Sequence, residues 1–151
     1  MEVNVGRKRR VAVCGHFDPF HIGHLRHLEQ AKELGDWLIV IVSTDKHCLL
    51  KKGFVFMPEK ERLELMLALK CVNEVVLSID EDGTVAKTIK MLKPDILAKG
   101  GDRTPDNMPQ NEIDACKEVG CELVYGVGEQ LNTSRGLLKR LLEHITNLIG
   151  N

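Results

Sequence analysis

Short apolar runs alternate along this chain with stretches that carry apolar residues at helical spacing. The apolar runs occupy residues 11–14, 37–42, 75–77, 96–98 and 121–125. Continuous runs of this length, without polar alternation, are typical of strands in a parallel sheet that is buried on both faces. The pattern therefore predicts five buried parallel strands.

The stretches between these runs are predicted to be helices. Residues 25–32 are mostly good helix formers. Pro58 and Pro109 suit the first turn of a helix, and Gly120 suits a helix end. The strongest pattern lies at 137–149, where leucine and isoleucine fall on one face at 100° per residue, and that face needs something to pack on. Weaker apolar stripes mark two further helices, at 63–67 and 85–92.

Alternating strands and helices predict an α/β fold with a single Rossmann-like, doubly wound five-stranded parallel sheet and right-handed crossovers. We expect one domain over residues 1–151, since the chain shows no internal repeat or linker. The stretch 47–57 is the candidate for a mobile loop. Ligands of such sheets bind beyond the carboxyl ends of the strands.

Composition excludes several classes of protein. Residues are 43% hydrophobic and 28% charged, which excludes disorder, and the net charge of -1 gives no basic field for a nucleic-acid partner. No apolar run reaches the roughly 18 residues of a membrane span, so we expect no membrane partner. Five scattered cysteines without a secretory signal fit a reducing compartment, and we expect a cytoplasmic location.

The clearest chemical motif follows the first strand, where residues 15–24 read GHFDPFHIGH. The motif places His21 and His24, three residues apart, at the start of a helix. Backbone N–H groups at a helix N-terminus lack partners and favour an anion, and Gly15 and Gly23 let the backbone approach a ligand closely. The motif therefore predicts a site for nucleotide phosphates.

The histidines allow two other interpretations. They could be ordinary surface residues of a helix. They could also bind zinc, because four histidines lie between residues 16 and 27. The cysteines are scattered, however, and no Cys-x-x-Cys or His-Glu-x-x-His pair is present, so no metal-ligating residue is predicted.

Polar clusters follow three more strands. Residues 43–45 end the second strand and precede Lys51 and Lys52, residues 99–102 end the fourth, and residues 126–135 follow the fifth. Each cluster alone fits ordinary turn chemistry. Because this topology brings all of them to the edge that carries the histidines, together they suit a polyphosphate, which needs cations, backbone donors and hydroxyls.

The pattern Gly-x-Phe-Asp-x-x-His-x-Gly-His resembles the signature of the cytidylyltransferase-like nucleotidyltransferase family, with every signature position filled. The resemblance implies a HUP-type fold and transfer of a nucleotidyl group from a nucleoside triphosphate to the phosphate of a small acceptor, with release of pyrophosphate. It also implies Mg²⁺ as cofactor, a homodimer, and stabilisation of the triphosphate by His21 and His24 during in-line attack.

Residues 34–40, 43–45, 61–62, 73–76 and 93–102 are similar to the adenylyltransferase domain of bifunctional heptose-phosphate enzymes. The resemblance implies a catalytic role on phosphate for Lys52. It implies an acceptor site of Asp45, Lys51 and Arg62, with Lys51 as substitute for Lys52 and Arg62 on phosphate or at a dimer interface. It implies a nucleotide site formed by Gly15, His16, Phe17, Asp18, Gly23, Lys99, Gly101, Asp102, Leu131, Asn132, Thr133 and Ser134.

The expected reaction uses ATP and an acceptor such as a heptose 1-phosphate. Asn132 stands where the family usually has serine, and Val127 stands where glycerol-3-phosphate cytidylyltransferases carry arginine. The alternatives are a CTP-dependent cytidylyltransferase acting on glycerol 3-phosphate or another phosphoalcohol, and an adenylyltransferase for FMN, pantetheine phosphate or nicotinamide mononucleotide. A nucleotide-sensing module without turnover is the non-enzymatic alternative. The histidine motif also resembles class I aminoacyl-tRNA synthetases, but Lys-Met-Ser-Lys-Ser is absent.

Overall fold

A computed structural model describes residues 6–128 and 134–151. Its sheet has five parallel strands in the order β3-β2-β1-β4-β5, which confirms the predicted doubly wound α/β fold. The strands are β1 (Arg10–Gly15), β2 (Trp37–Val42), β3 (Glu74–Leu77), β4 (Ile96–Ala98) and β5 (Glu122–Val124).

Six helices accompany the strands in the described part of the chain. They are α1 (Ile22–Lys32), α2 (Asp45–Lys52), α3 (Glu59–Leu67), α4 (Ala86–Leu92), α5 (Gln110–Val119) and α6 (Ser134–Ile149). Leu28 of α1 and Met66 of α3 belong to one buried core, whereas Ile89 of α4 and Ala115 of α5 belong to a second. The sheet is thus covered by α1 and α3 on one face and by α4 and α5 on the other.

Side chains of β1 alternate between these two cores. Val11 and Val13 pack with α1 and α3, while Ala12 and Cys14 pack on the α4 and α5 side. This alternation matters for the site, because it fixes the face toward which the last residues of each strand point.

The prediction of a mobile loop over 47–57 is wrong for its first half, because α2 continues through Lys52. Thr44 caps the start of this helix by accepting the N–H of His47 at 3.1 Å, and Gly53 ends it in the left-handed conformation at φ 72°. Capping residues, which the hydrophobic pattern does not reveal, define this helix.

Pro109 and Gly120 flank α5 as the sequence predicted, with Gly120 at φ 70° in the left-handed C-cap. Pro58 occupies the corresponding N-cap position of α3. No helix in the described residues is long and apolar enough to cross a membrane.

The predicted C-terminal helix is present as α6, but none of its described residues is buried. Its exposed apolar side chains are Leu141, Leu142, Ile145, Leu148 and Ile149. An apolar stripe of this kind on a helix surface fits an interface between copies of the chain. The homodimer stays a prediction.

We expect light scattering to give about twice the 17.0 kDa chain mass. Replacing Ile145 and Leu148 by serine is expected to lower the mass toward that of one chain, because both side chains lie on the exposed apolar stripe of α6. Lys139→Ser, an exposed polar position on the same helix, is the control. A monomeric wild-type protein at micromolar concentration would contradict the prediction.

Candidate active site

A cavity of about 370 Å³ opens at the carboxyl ends of β1, β2 and β4. It lies at the junction of β1 and β4, where strand order reverses and ligands of doubly wound sheets bind. Most residues that the sequence singled out line this cavity: Gly15, His16, Phe17, His21, Gly23, His24, Lys51, Lys99, Gly101, Asp102 and Ser134. Leu131, Asn132 and Thr133 lie outside the described residues.

Several lining residues were not among the predicted site residues: Cys14, His27, His47, Val85, Arg103 and Glu112. His27 could have been found, because it lies three residues after His24 on α1 and so shares its helix face. Glu112 and His47 carry no local sequence signal, since only the packing of α5 and α2 brings them to the cavity.

His21 and His24 cap α1 with their own imidazole rings. Nδ1 of His21 accepts the N–H of Gly23 at 3.1 Å, and Nδ1 of His24 accepts the N–H of His21 at 3.2 Å. The two rings stack with centroids 3.7 Å apart. Two of the backbone N–H groups at the helix start, those of His21 and Gly23, are therefore used by the histidines. In the neutral ring the proton then resides on Nε2, so each ring can donate outward from that atom.

Burial keeps these rings uncharged. Desolvation lowers the pKa of His21, and it lowers the pKa of His24 to about 3, with the neighbouring His21 and His27 adding to the effect. Phe17 meets the ring of His24 edge-on, with centroids 5.1 Å apart. The site thus presents two fixed neutral donors at neutral pH.

Gly15 makes room for this arrangement. A Cβ at Gly15 would lie 3.0 Å from Cζ of Phe17, the residue that supports His24. His27 fixes the opposite rim, because its Nδ1 lies 2.5 Å from the carbonyl oxygen of Val127 and must donate to it. Burial lowers the pKa of His27, and its lone pair remains on Nε2.

Asp18 and Lys52 hold the loop after α2 and do not line the cavity, in contrast to their expected roles on nucleotide and phosphate. The carboxylate of Asp18, 1% exposed, accepts the N–H groups of Phe56 at 2.9 Å and Met57 at 2.5 Å. Lys52 donates to the carbonyl oxygen of Asp18 at 2.5 Å. Of the two neighbouring lysines of α2, Lys51, which we expected as the substitute, is the one that lines the cavity.

Arg62 is fully buried, so the expected contact with an acceptor phosphate or a dimer partner is corrected. Its guanidinium donates to the carbonyl oxygens of Met57 at 2.8 Å, His16 at 2.9 Å and Ser43 at 2.6 Å, and to Oδ1 of Asp45 at 2.8 Å. All three of its nitrogens are engaged within the protein.

Asp45 is likewise a structural residue and does not line the main cavity, contrary to its expected acceptor role. Besides Arg62, its Oδ1 accepts the N–H of Glu59 at 2.8 Å, and its own N–H donates to Oε2 of Glu59 at 2.9 Å. The pair joins the starts of α2 and α3. Asp45 and Glu59 face a smaller neighbouring cavity.

A doubly wound sheet with paired imidazole donors at the start of its first helix suits the binding of nucleotide phosphates. Residues 12–130 match the family model described as cytidylyltransferase-like. The chain belongs to this family.

Two relatives show how far the likeness extends. An FAD synthase of Thermococcus sibiricus is 36% identical over 142 residues, which cover 91% of this chain and 95% of the relative. The bifunctional protein HldE of Pelobacter propionicus is 37% identical over 138 residues, 90% of this chain but 28% of that protein. This chain also spans only 60% of an FAD synthase of Ferroglobus placidus, at 43% identity over 95 residues, or 63% of this chain.

A solved structure supports the fold. The crystal structure of the lipopolysaccharide core biosynthesis protein from Thermoplasma volcanium superposes with a TM-score of 0.67 at 30% identity. The match covers 82% of this chain and 99% of that one.

We expect Arg62→Met to lower the free energy of unfolding by about 3–5 kcal/mol, because it leaves buried carbonyl oxygens and Asp45 without their donor. Arg62→Lys should recover little, since an ammonium cannot reproduce the planar fork. Urea denaturation measures both variants, with Arg140→Met on exposed α6 as the control. A loss below about 1 kcal/mol would contradict the structural role.

Acid is expected to destabilise the ligand-free protein. Desolvation first, and then His47, lowers the pKa of His16 from 6.5 to about 4, and the pKa of His24 is lowered in the same direction. The unfolded chain therefore takes up protons that the native state does not, and stability present above pH 6.5 is lost as pH falls. After discounting for solvent screening, each contributes about 1 kcal/mol between pH 7 and 5.

Thermal melting of His16→Gln measures this contribution. The slope of melting temperature against pH should become shallower between pH 7 and 5, and the exposed His144→Gln should leave it unchanged. Equal slopes in His16→Gln and wild type would contradict the expectation.

Proposed function

We propose that this nucleotidyltransferase transfers the adenylyl group of ATP to the phosphate of a sugar phosphate such as a heptose 1-phosphate. The observation that carries the proposal is the polar lining of the cavity. Among the described lining residues, the large apolar side chains are Phe17, Val85 and Val127. The charged and hydroxyl side chains of this lining can exchange hydrogen bonds with the hydroxyl groups of a sugar acceptor.

In this reaction an oxygen of the acceptor phosphate attacks the α-phosphorus of ATP. The bond from that phosphorus to the bridging oxygen breaks, and pyrophosphate leaves with the electron pair. Nε2–H of His21 and of His24 donate to phosphate oxygens as charge builds, and the Lys51 ammonium approaches from α2. These groups position and stabilise, and no covalent intermediate on the protein is needed.

We also propose Mg²⁺ as the cofactor. Among the described residues, no group of three His, Cys, Asp or Glu side chains could hold a metal. The cavity offers the carboxylates of Asp102 and Glu112, and Glu112 already pairs with Lys99. This donor set fits Mg²⁺ bound mainly through the substrate phosphates, with Asp102 as a protein ligand. The ion would supply positive charge to the phosphate oxygens.

Adenylyl transfer to FMN is the second candidate. The similarity to the Thermococcus FAD synthase, which extends over 95% of that relative, favours it. Residues 129–133 lie outside the described part of the chain, so the polar character of the lining is that of the described residues alone.

Pyrophosphate release tests both candidates. We expect release with Mg²⁺, ATP and a heptose 1-phosphate, and little with CTP or glycerol 3-phosphate. Release with FMN and none with sugar phosphates would replace the first candidate by the second. ATP binding without release for any acceptor would instead favour the nucleotide-sensing module.

His21→Ala and His24→Ala are each expected to lower kcat by roughly 100- to 1000-fold, the size found when one preorganised donor to the transition state is lost. Steady-state kinetics on the accepted pair of substrates measures the effect. His144→Ala, on the exposed surface of α6, is the matched control. Near-normal turnover in both site variants would exclude their catalytic role.

A further inference from the structure

A buried ion pair forms part of the cavity wall away from the catalytic histidines. Nζ of Lys99 lies 3.1 Å from Oε1 of Glu112 and 3.1 Å from Sγ of Cys14. Lys99 is 7% exposed and Glu112 is 5% exposed, yet both line the cavity. Burying two charges costs free energy, so a pair that opens on a substrate cavity calls for a reason beyond stability.

The pair lies on the opposite face of the sheet from α1. Cys14 packs with the core of α4 and α5, and Glu112 is a residue of α5 itself. His21 and His24 begin α1, which covers the other face. The cavity therefore has an α1 side that carries imidazole donors and an α5 side that carries a carboxylate.

Glu112 retains capacity to bind a ligand. A carboxylate can accept about four hydrogen bonds. Within the described residues two donors reach it, namely Nζ of Lys99 and the N–H of Val85 at 3.3 Å. Burial alone would lower the pKa of Lys99, but Cys14 and Glu112 raise it by more, so its ammonium stays charged and holds the carboxylate in place.

A second residue that lines the same cavity, His47, has a polar atom without a partner in the described residues. Nε2 of His47 is buried and makes no hydrogen bond within the described residues. It lies 3.6 Å from the position that a Cβ on Gly83 would take, two residues before Val85. The His47 ring meets His16 edge-on, with centroids 4.9 Å apart. A buried nitrogen without a partner is costly unless a ligand or water satisfies it.

The Lys99 ammonium balances the charge of the Glu112 carboxylate. The carboxylate oxygens can only accept hydrogen bonds, which a hydroxyl group donates and an ionised phosphate does not. The triphosphate and the acceptor phosphate are therefore expected on the α1 side, where neutral donors and Lys51 lie. The α5 side suits the uncharged, hydroxylated part of the acceptor. A buried acceptor of hydrogen bonds also penalises any ligand that lacks the matching hydroxyl.

We propose that Glu112, held by Lys99, binds hydroxyl groups of the acceptor and so selects a polyhydroxylated sugar phosphate, with Nε2 of His47 as a further polar atom on the same cavity. This inference rests on the proposed function, because it assigns the acceptor subsite of that reaction. Glu112 is then a specificity-determining residue, and the sequence pattern of α5 does not reveal it.

The test is Glu112→Gln, assayed with ATP and either a heptose 1-phosphate or mannose 1-phosphate. The variant keeps the shape of the side chain but loses the charge, so KM for the sugar phosphate is expected to rise about 10- to 100-fold. KM for ATP should stay within about twofold, since the α1 side is untouched. Glu118→Gln is the matched control, because Glu118 lies on the same helix and forms an exposed pair with Lys90.

Deoxy analogues of the accepted sugar phosphate provide a second measurement, whose first part uses the wild-type enzyme alone. With the wild-type enzyme, removing the hydroxyl that Glu112 binds should lower kcat/KM by about 10- to 100-fold. Glu112→Gln should lose little more on that analogue, because the contact is already absent. Such non-additivity is expected of direct contact and not of a structural role.

Three outcomes would overturn the inference. Equal KM for the sugar phosphate in Glu112→Gln and wild type excludes contact with the acceptor. An equal rise of KM for ATP and acceptor makes Glu112 a general structural residue. Indifference of the wild-type enzyme to every deoxy analogue excludes recognition of hydroxyls. If the wild-type enzyme uses FMN and no sugar phosphate, the proposed function itself is refuted. The wild-type assay alone distinguishes this outcome from a failure of the inference about Glu112.

Discussion

The buried guanidinium of Arg62 is the interaction on which the carboxyl edge of the sheet depends. It gathers carbonyl oxygens from the segments after β1 and β2 and from the loop before α3, and it pairs with the first residue of α2. The planar guanidinium thus binds three separate segments of the chain together, and it does so where it is shielded from water. The cavity wall formed by His16, Ser43 and Lys51 is built on these segments, so Arg62 supports the wall although it does not line the cavity.

This scaffold gives the cavity two chemically different sides. On the α1 side, burial keeps the imidazoles neutral and the helix start orients them, while Asp18 holds the neighbouring loop. On the α5 side, a carboxylate is retained through its lysine partner. In the proposed reaction, this separation of hydrogen-bond donors from acceptors across the sheet edge would place the phosphates on one side of the cavity and the hydroxyl groups of the acceptor on the other.

The sequence predicted the strands, their parallel arrangement and the position of the site, because buried strands and a strand–glycine–helix turn depend on neighbouring residues. Local pattern could not separate ligand contacts from scaffold. Asp18, Lys52, Asp45 and Arg62 have the charges that a phosphate site needs, and only long-range packing shows that they satisfy buried backbone groups and one another. Glu112 gives no signal in the sequence for the reverse reason, since an acidic residue in an amphipathic helix is ordinarily a surface residue.

The capping of α1 by its own histidines changes what the helix offers to a ligand. Each ring takes up a backbone N–H at Nδ1 and can present a proton at Nε2, on the far side of the imidazole. The N–H groups at the positive end of the helix polarise the imidazole rings that accept from them, and this strengthens Nε2–H as a donor on the far side of each ring. A bare helix terminus binds whichever anion fits against the backbone. In this protein two stacked rings lie between the helix start and the cavity, so a phosphate that accepted hydrogen bonds from Nε2 would lie farther from the helix backbone than at a bare terminus.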